Sequence, residues 1–263
     1  MNEESKGYER RQKIKELLNN EKTIYVKQTA ELFQVSDMTI RRDLKVLEKE
    51  GIAAVFHGGA SLRMKQEQEH TFTSRNVLME EEKIMIARKA CESLRQNSVI
   101  FLDTSTTVLQ MIRFLPQLKL TVVTPSIAIA SVLSRYQDIT LYLCPGRYSV
   151  LNDGPMDYST VEYTDRFVFD QVFLGAGSVD ADSGISSTLE IEAAMKQRII
   201  THAKEIYFLF DHTKFSKTYL FRICSLSERI TIITDNALPQ NERERIGSTG
   251  ARLMLADGSK KNI

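Results

Sequence analysis

The chain has 263 residues, is 42% hydrophobic and 26% charged, and carries a formal net charge of +1. That composition supports buried cores in one large domain or two. It excludes attraction to nucleic acid through bulk basicity, so any such contact rests on where the charges sit.

Tyr8 to Leu18 reads as a first helix, with Ile14, Leu17 and Leu18 toward a core. Val26 to Phe33 reads as a short second helix, Gln34-Val35 as a turn, and Ser36 to about Lys49 as a third helix ended by Gly51. Ser36 is placed to cap that helix, because its hydroxyl can accept from an orphan backbone N–H. Ile40, Leu44 and Leu47 recur at helical spacing, which turns Thr39, Arg41 and Arg42 elsewhere. The same pattern would suit an amphipathic surface helix with solvated arginines. The two helices and the turn before it favour a recognition helix, whose first turns reach base edges in a major groove. Ile52 to Ala60 is an extended piece with a glycine pair, Gly58-Gly59. Three helices followed by a bent β-element make a winged helix-turn-helix pattern over residues 7–62. Those first 62 residues hold eleven lysines and arginines against ten acidic residues. The candidate DNA-contacting residues are Ser36, Asp37, Met38, Thr39, Arg41, Arg42, Lys45 and His57, with Lys49 as a further backbone contact. Asp43 would orient an arginine instead of touching DNA. One module of such low charge would bind weakly alone, so a homodimer or higher homo-oligomer presenting paired recognition helices is expected.

Residues 63–79 are polar and rich in Gln, Glu and Lys, which reads as a linker. From residue 80 to 263 the texture changes. A helix from Glu80 to Leu94 precedes strand candidates Ser98–Leu102, Leu120–Val123, Thr140–Cys144, Gln171–Leu174, Ile206–Phe210, Ile230–Thr234 and Arg252–Leu255. Helix candidates Thr107–Leu115, Ile127–Tyr136, Leu189–Ala203 and Pro239–Ile246 alternate with them. This alternation predicts an α/β domain, a mainly parallel sheet with helices on both faces.

In open α/β sheets, ligands sit outside the carboxyl ends of the strands. Five loops at such ends share a character: Asp103-Thr104-Ser105-Thr106-Thr107, Thr124-Pro125-Ser126, Pro145-Gly146-Arg147, Gly175-Ala176-Gly177 and Asp211-His212-Thr213-Lys214-Phe215. Together they offer hydroxyls, two cations and two carboxylates, which suits a phosphorylated, polyhydroxylated small molecule. Each loop taken singly is also what ordinary helix capping produces. Gly175-Ala176-Gly177 begins like a dinucleotide fingerprint, but Asp180 stands where the third glycine would be. His57, His70, His202 and His212 have no metal-ligand spacing, so no metal and no cofactor is expected. Cys91, Cys144 and Cys224 lie far apart without a CxxC and read as small core residues of a reducing compartment. The first residues lack an apolar signal core, and no apolar run approaches the ~20 residues of a membrane span. A cytoplasmic protein without a membrane partner is expected.

With these residues in view, the chain resembles the DeoR family of bacterial transcriptional regulators over nearly its whole length. The first module matches at Arg10-Arg11, Ile14, Phe33, Val35-Ser36, Thr39 to Leu44, Leu47 and His57 to Ala60. The next stretch matches at Phe72, Arg75, Glu82-Lys83 and Ile86-Ala87. The second domain matches at Asp103, Thr106-Thr107, Thr124, Gly146, Gly154, Phe169-Asp170, Phe173 to Gly175, Gly184, Glu192-Ala193, Lys196, Asp211 and Lys214-Phe215. The resemblance implies a winged helix-turn-helix joined to a domain similar to ribose-5-phosphate isomerase and glucosamine-6-phosphate deaminase. It implies a non-enzymatic repressor of sugar-catabolic genes, bound to double-stranded operator DNA and released by a phosphorylated sugar. The effector site would draw on Asp103, Ser105, Thr106, Thr107, Thr124, Gly146, Arg147, Gly175, Glu192, Asp211 and Lys214.

Four positions depart from the family pattern. Ser105 replaces a glycine of the phosphate loop, Pro125 an asparagine, Pro145 a glycine and Val55 a wing arginine. A serine at 105 would resist a positive φ and crowd a close backbone approach. Two alternatives stay open: a sugar-phosphate isomerase or deaminase using Asp103, Asp211, Glu192 or Lys214 for proton transfer, and an effector-independent repressor.

Overall fold

The computed structural model describes residues 3–21, 23–49, 52–56, 58–62 and 71–257. The chain divides into two units, residues 1–69 and 70–263.

The first unit runs α1 (Glu3–Glu21), β1 (Thr23–Tyr25), α2 (Val26–Phe33), α3 (Asp37–Lys49), β2 (Ala53–Phe56) and β3 (Gly59–Leu62). Ile14 and Leu18 of α1, Val26 and Ala30 of α2, and Ile40, Leu44 and Leu47 of α3 are buried together with Ile24, Ala53 and Ala60. Each helix therefore places its i, i+4 or i, i+4, i+7 apolar set on one core. The turn between α2 and α3 is closed by Gln34 in the left-handed region, φ 52°. β3 pairs antiparallel with both β1 and β2, giving a three-stranded wing. The short β1 was not legible in the sequence, because three residues carry no period. Gly51 lies outside the described residues.

The second unit opens with α4 (Phe72–Val77), capped by the Thr71 hydroxyl on the Ser74 N–H. This helix falls within the stretch read as a linker, and Phe72 is buried. There follow α5 (Glu80–Cys91), β4 (Val99–Leu102), α6 (Thr106–Leu109) continued by a 3-10 turn over Gln110–Arg113, β5 (Leu120–Thr124), α7 (Ile127–Leu133) and β6 (Ile139–Leu143). Next come the small hairpin β7 (Tyr148–Ser149) and β8 (Gly154–Pro155), then α8 (Tyr158–Thr164), β9 (Phe169–Leu174), β10 (Ser178–Asp180) and β11 (Gly184–Ser187). The unit ends with α9 (Glu190–Thr201), β12 (Ala203–Leu209), β13 (Phe221–Cys224), β14 (Ile230–Asp235), α10 (Gln240–Ser248) and β15 (Arg252–Ala256).

Seven strands form one sheet in the order β15-β14-β12-β9-β4-β5-β6, and every neighbouring pair is parallel. The strands read as continuous apolar runs because both faces are covered. Phe101, Val172, Leu174, Phe208 and Ile232 pack into one layer with Ala193, Met195 and Ile199 of α9. Their neighbours Ile100, Leu102, Phe173, Leu209 and Ile233 pack into the other with Ile86 and Ala90 of α5. The chain enters at β4, moves out through β5 and β6, then returns to β9 and moves out the other way. The order thus reverses between β4 and β9, and the crevice outside the carboxyl ends of these two strands is the topological switch point. The second sheet, β10-β11-β13, is antiparallel and did not stand out from the sequence.

Candidate functional site

The recognition-helix candidates lie where the cap and the period put them. Ser36 Oγ accepts from the Thr39 N–H at 3.3 Å, and its hydroxyl also pairs with that of Thr39 at 2.9 Å. Asp37 stands in the first turn of α3, where a negative charge complements the helix dipole. Met38 is 67% exposed. Arg41, Arg42 and Lys45 are exposed on the face opposite the core, and none of them forms an ion pair among the described residues. Asp43 is buried. It binds Arg10 Nε at 2.5 Å and Arg11 Nη1 at 3.4 Å, so it orients the arginines of α1 and locks α1 onto α3. His57 and the Lys49 side chain lie outside the described residues.

The crevice at the switch point is built by a buried charge network. Asp103 follows β4 directly. Its Oδ1 accepts from the Thr104 N–H at 2.8 Å and its Oδ2 from the Gly175 N–H at 2.9 Å. Lys196 Nζ lies 3.0 Å from Asp103 Oδ2 and bonds Glu192 one turn earlier on α9. Glu192 also accepts from the Ser187 hydroxyl at 2.6 Å. Side chains of Lys196 and Asp103 are each 1% exposed. Burial alone would drive the Lys196 ammonium toward neutrality, but Asp103 and Glu192 outweigh it and hold its pKa above the ordinary lysine value. Burial likewise pushes the Glu192 carboxyl up, and Lys196 brings it back below the usual range.

Beside this network lies a group of cations. Lys83 at the start of α5 is 4% exposed and its ammonium donates to the carbonyl of Arg75 on α4. Burial lowers the Lys83 pKa to about 8. Asp211 opposes that shift, whereas Lys214 and Arg75 add to it. Arg75 Nη2 donates to the Leu151 carbonyl at 2.5 Å, and its buried Nε has no hydrogen-bond partner among the described residues. Arg75 also acts electrostatically on Glu192.

Similarity to known families and proteins bears on the identity of the chain. A family model described as the DeoR C terminal sensor domain matches residues 79–236, and a DeoR-like helix-turn-helix domain matches residues 10–66. The chain belongs to the DeoR family of transcriptional regulators. It is 33% identical to an uncharacterized HTH-type transcriptional regulator of Bacillus subtilis, YulB, over 88% of this chain and 89% of that one. It is 30% identical to the lactose phosphotransferase system repressor of Staphylococcus epidermidis over 87% of this chain and 92% of that one. Among solved structures, ribose 5-phosphate isomerase A of Methanocaldococcus jannaschii matches at a TM-score of 0.39 and 20% identity, over 52% of this chain and 55% of that one.

In this DeoR-family chain the structure joins Asp103, Gly175 and Glu192 directly through hydrogen bonds and Lys196. Ser105 abuts them: a Cβ on Gly175 would come within 2.4 Å of Ser105 Oγ, so glycine at 175 is what admits the serine. Ser105 itself has φ −66°, which removes the objection that this position needs a positive φ. Its hydroxyl caps α6, accepting from the N–H groups of Thr107 at 3.2 Å and Val108 at 3.5 Å. Those two donors are therefore already satisfied, and the side chains of Thr106 and Thr107 beside them are buried. Thr124 is fully buried and internally satisfied. It donates to the Leu102 carbonyl at 2.6 Å and accepts from the Ser126 N–H at 3.0 Å. Asp211 turns back on its own 3-10 turn, accepting from the Thr213 N–H at 3.0 Å, while Lys214 stays half-buried.

Gly146 and Arg147 share no hydrogen bond or ion pair with this group among the described residues. Gly146 has φ +137°, and a Cβ there would strike Thr160 Oγ1 at 2.3 Å. The Arg147 N–H donates to Asp157 at 2.8 Å, and its side chain is exposed. These two residues shape a turn. Sequence reading missed Lys196, Lys83 and Arg75 as site residues, although each lies in a matched motif. No strand-end position marks them: they come from helices that reach the crevice across the fold. Among the described residues, no group of His, Cys, Asp and Glu could hold a metal, and no helix is long and apolar enough to cross a membrane.

Proposed function

We propose that this regulator represses genes of carbohydrate use and leaves its operator when a phosphorylated sugar enters the switch-point crevice. The observation that carries this reading is the pairing of two kinds of charge there. Asp103, Lys196 and Glu192 form a buried network, and the cations Lys83, Arg75 and Lys214 stand beside it with Asp211. A phosphate is a group that several such cations can meet together. The phosphate would meet Lys83, Arg75, Lys214 and the hydroxyls of Thr106 and Thr107. Sugar hydroxyls would reach Glu192 and Asp211, with Asp103 positioning Lys196 and the Gly175 loop. The relatives named as lactose phosphotransferase system repressors support a role in sugar use. On the DNA side, Arg41 and Arg42 would read base edges and phosphates while Thr39 and Lys45 flank them. A homodimer would set two recognition helices on a twofold-symmetric operator.

Titration calorimetry of the full chain against glucose 6-phosphate, fructose 1-phosphate, ribose 5-phosphate and related phosphates tests the effector. Saturable binding of at least one at submillimolar concentration is expected, with no turnover of it. Binding by none of them at millimolar concentration overturns the reading. One observation favours a second reading, an effector-independent repressor: Ser105 already satisfies two backbone donors that a bound phosphate would otherwise use. Enzymatic isomerisation is disfavoured because two of its candidate groups, Asp103 and Glu192, are tied to the buried Lys196 ammonium.

A further inference from the structure

We propose that α4 is the moving part of the switch-point crevice: an anion that takes the Lys83 ammonium uncaps α4 and frees the first element that follows the DNA-binding unit. This deepens the effector reading above and rests on it. The second unit begins at His70, so the polypeptide coming from the helix-turn-helix enters it through Thr71 and α4. This helix has six residues, far fewer than a helix needs to persist alone in water. Its surroundings hold it in place.

Among the described residues, three side-chain hydrogen bonds tie α4 to other elements. The Lys83 ammonium of α5 donates to the Arg75 carbonyl. Arg75 stands in the last turn of α4, where helix carbonyls lack intrahelical donors and a cation is favoured. Lys83 therefore caps the helix. The Arg75 guanidinium donates to the Leu151 carbonyl, between β7 and β8. That hairpin rests on the loop after β4: a Cβ on Gly154 would come within 3.3 Å of the Thr104 side chain. The Gln110 side-chain amide donates to Asn76 Oδ1 at 3.2 Å. Gln110 opens the 3-10 turn that continues α6, the helix whose start presents Thr106 and Thr107 to the crevice.

The seated arrangement is not at rest. Arg75 Nε and Gln110 Oε1 are buried with no hydrogen-bond partner among the described residues, and a buried polar group left so has lost its solvation without return. The chain leaves α4 through an extended Leu78 and through Met79 at φ 53°, a left-handed conformation that a methionine takes only under constraint. Leu78 and Met79 are both exposed, so little packing holds this hinge. An anion in the crevice tips the balance. A charged acceptor outcompetes a neutral carbonyl for an ammonium or a guanidinium. Lys83 and Arg75 turn to the anion, α4 loses its cap and its tie to Leu151 together, and the Asn76–Gln110 bond breaks as the helix leaves its seat.

Hydrogen exchange of the full chain tests this, read by mass spectrometry with and without glucose 6-phosphate, fructose 1-phosphate and ribose 5-phosphate. Calorimetry in the same buffer says which of them binds. A bound sugar phosphate is expected to speed exchange of the amides of residues 73–78 about fivefold or more, while the segment 99–109 exchanges no faster. Asn76→Ala removes one tie of α4 and no group placed on the phosphate. It is expected to speed the same amides without ligand and to tighten the sugar phosphate about two- to tenfold, because one hydrogen bond fewer opposes the unseating. A merely structural Asn76 would leave that affinity unchanged or weaken it. Binding with unchanged or slower exchange over 73–78, or an Asn76→Ala chain that binds no tighter, overturns the role of α4 and leaves the effector reading standing. Binding of none of the three at millimolar concentration removes the effector reading and this role with it.

Discussion

The two units handle charge in opposite ways. In the first, Arg41, Arg42 and Lys45 point into solvent without ion-pair partners among the described residues, and a single buried carboxylate, Asp43, fastens two helices. In the second, Asp103, Lys196 and Glu192 are withdrawn from water and bound to one another. An exposed cation can meet a phosphate with little desolvation cost, so the first unit is set up to bind by long-range attraction and release with salt. A buried network gains little net stability from its own attraction but is severely unbalanced by the loss of one member. The difference predicts that substitutions in the first unit change affinity, and that substitutions in the second change folding.

The largest effect is expected at Lys196. Lys196→Met leaves two buried carboxylates facing each other, which costs about 3–5 kcal/mol and lowers the melting temperature of the second unit by about 10 °C. Adding Asp103→Asn to the same chain recovers part of that loss. A calorimetric shift under ~3 °C for the single variant would show that the network is not what holds the crevice. Asp43→Ala comes next. It frees Arg10 and Arg11 from α3 and costs about 2–4 kcal/mol, read as thermal unfolding of the first unit. It is the exception that sharpens the contrast, since it places a stability effect in the binding unit.

Arg41→Ala and Arg42→Ala should weaken binding to a selected duplex by about 1–3 kcal/mol at fixed salt while the melting curve stays in place. Equal affinity in both variants would break the assignment of this helix to DNA. The smallest effect is one of pH. The Lys83 pKa of about 8 lies below the ordinary lysine value, so its charged form is disfavoured by folding below pH 8. That penalty fades as pH rises toward the unfolded value. An anionic ligand favours the charged form, so ligand affinity should fall as pH rises through 8, by at most about tenfold per pH unit. Lys83→Met should bind more weakly at pH 7 and lose that dependence.

The local periods made much of this molecule legible. The Ser36 cap, the Ile40-Leu44-Leu47 stripe and the runs read as strands at 98–102, 120–123 and 230–234 each announce their element because local backbone chemistry decides them. The antiparallel β10-β11-β13 sheet escaped because its strands are short and joined across 33 residues between β11 and β13. Gly146 and Arg147 lie in a turn after β6 whose hydrogen bond runs to Asp157. Val55 looked like a lost wing contact until the register turned it to the core.

The cysteines show the same division on a small scale. Their spacing announced core residues, and burial raises the Cys91 and Cys144 thiols to about 12 and Cys224 to about 11, which keeps them in the unreactive form at neutral pH.

The sequence by itself determined the helix-turn-helix, the parallel α/β unit and the family, because each rests on contacts within a few residues or on repeated motifs. Only the tertiary structure decided that Lys196 from α9 joins Asp103 after β4 and that Lys83 and Arg75 face the same crevice. Those are relations between elements separated by tens of residues, and sheet order and register, which arise only on packing, fix them.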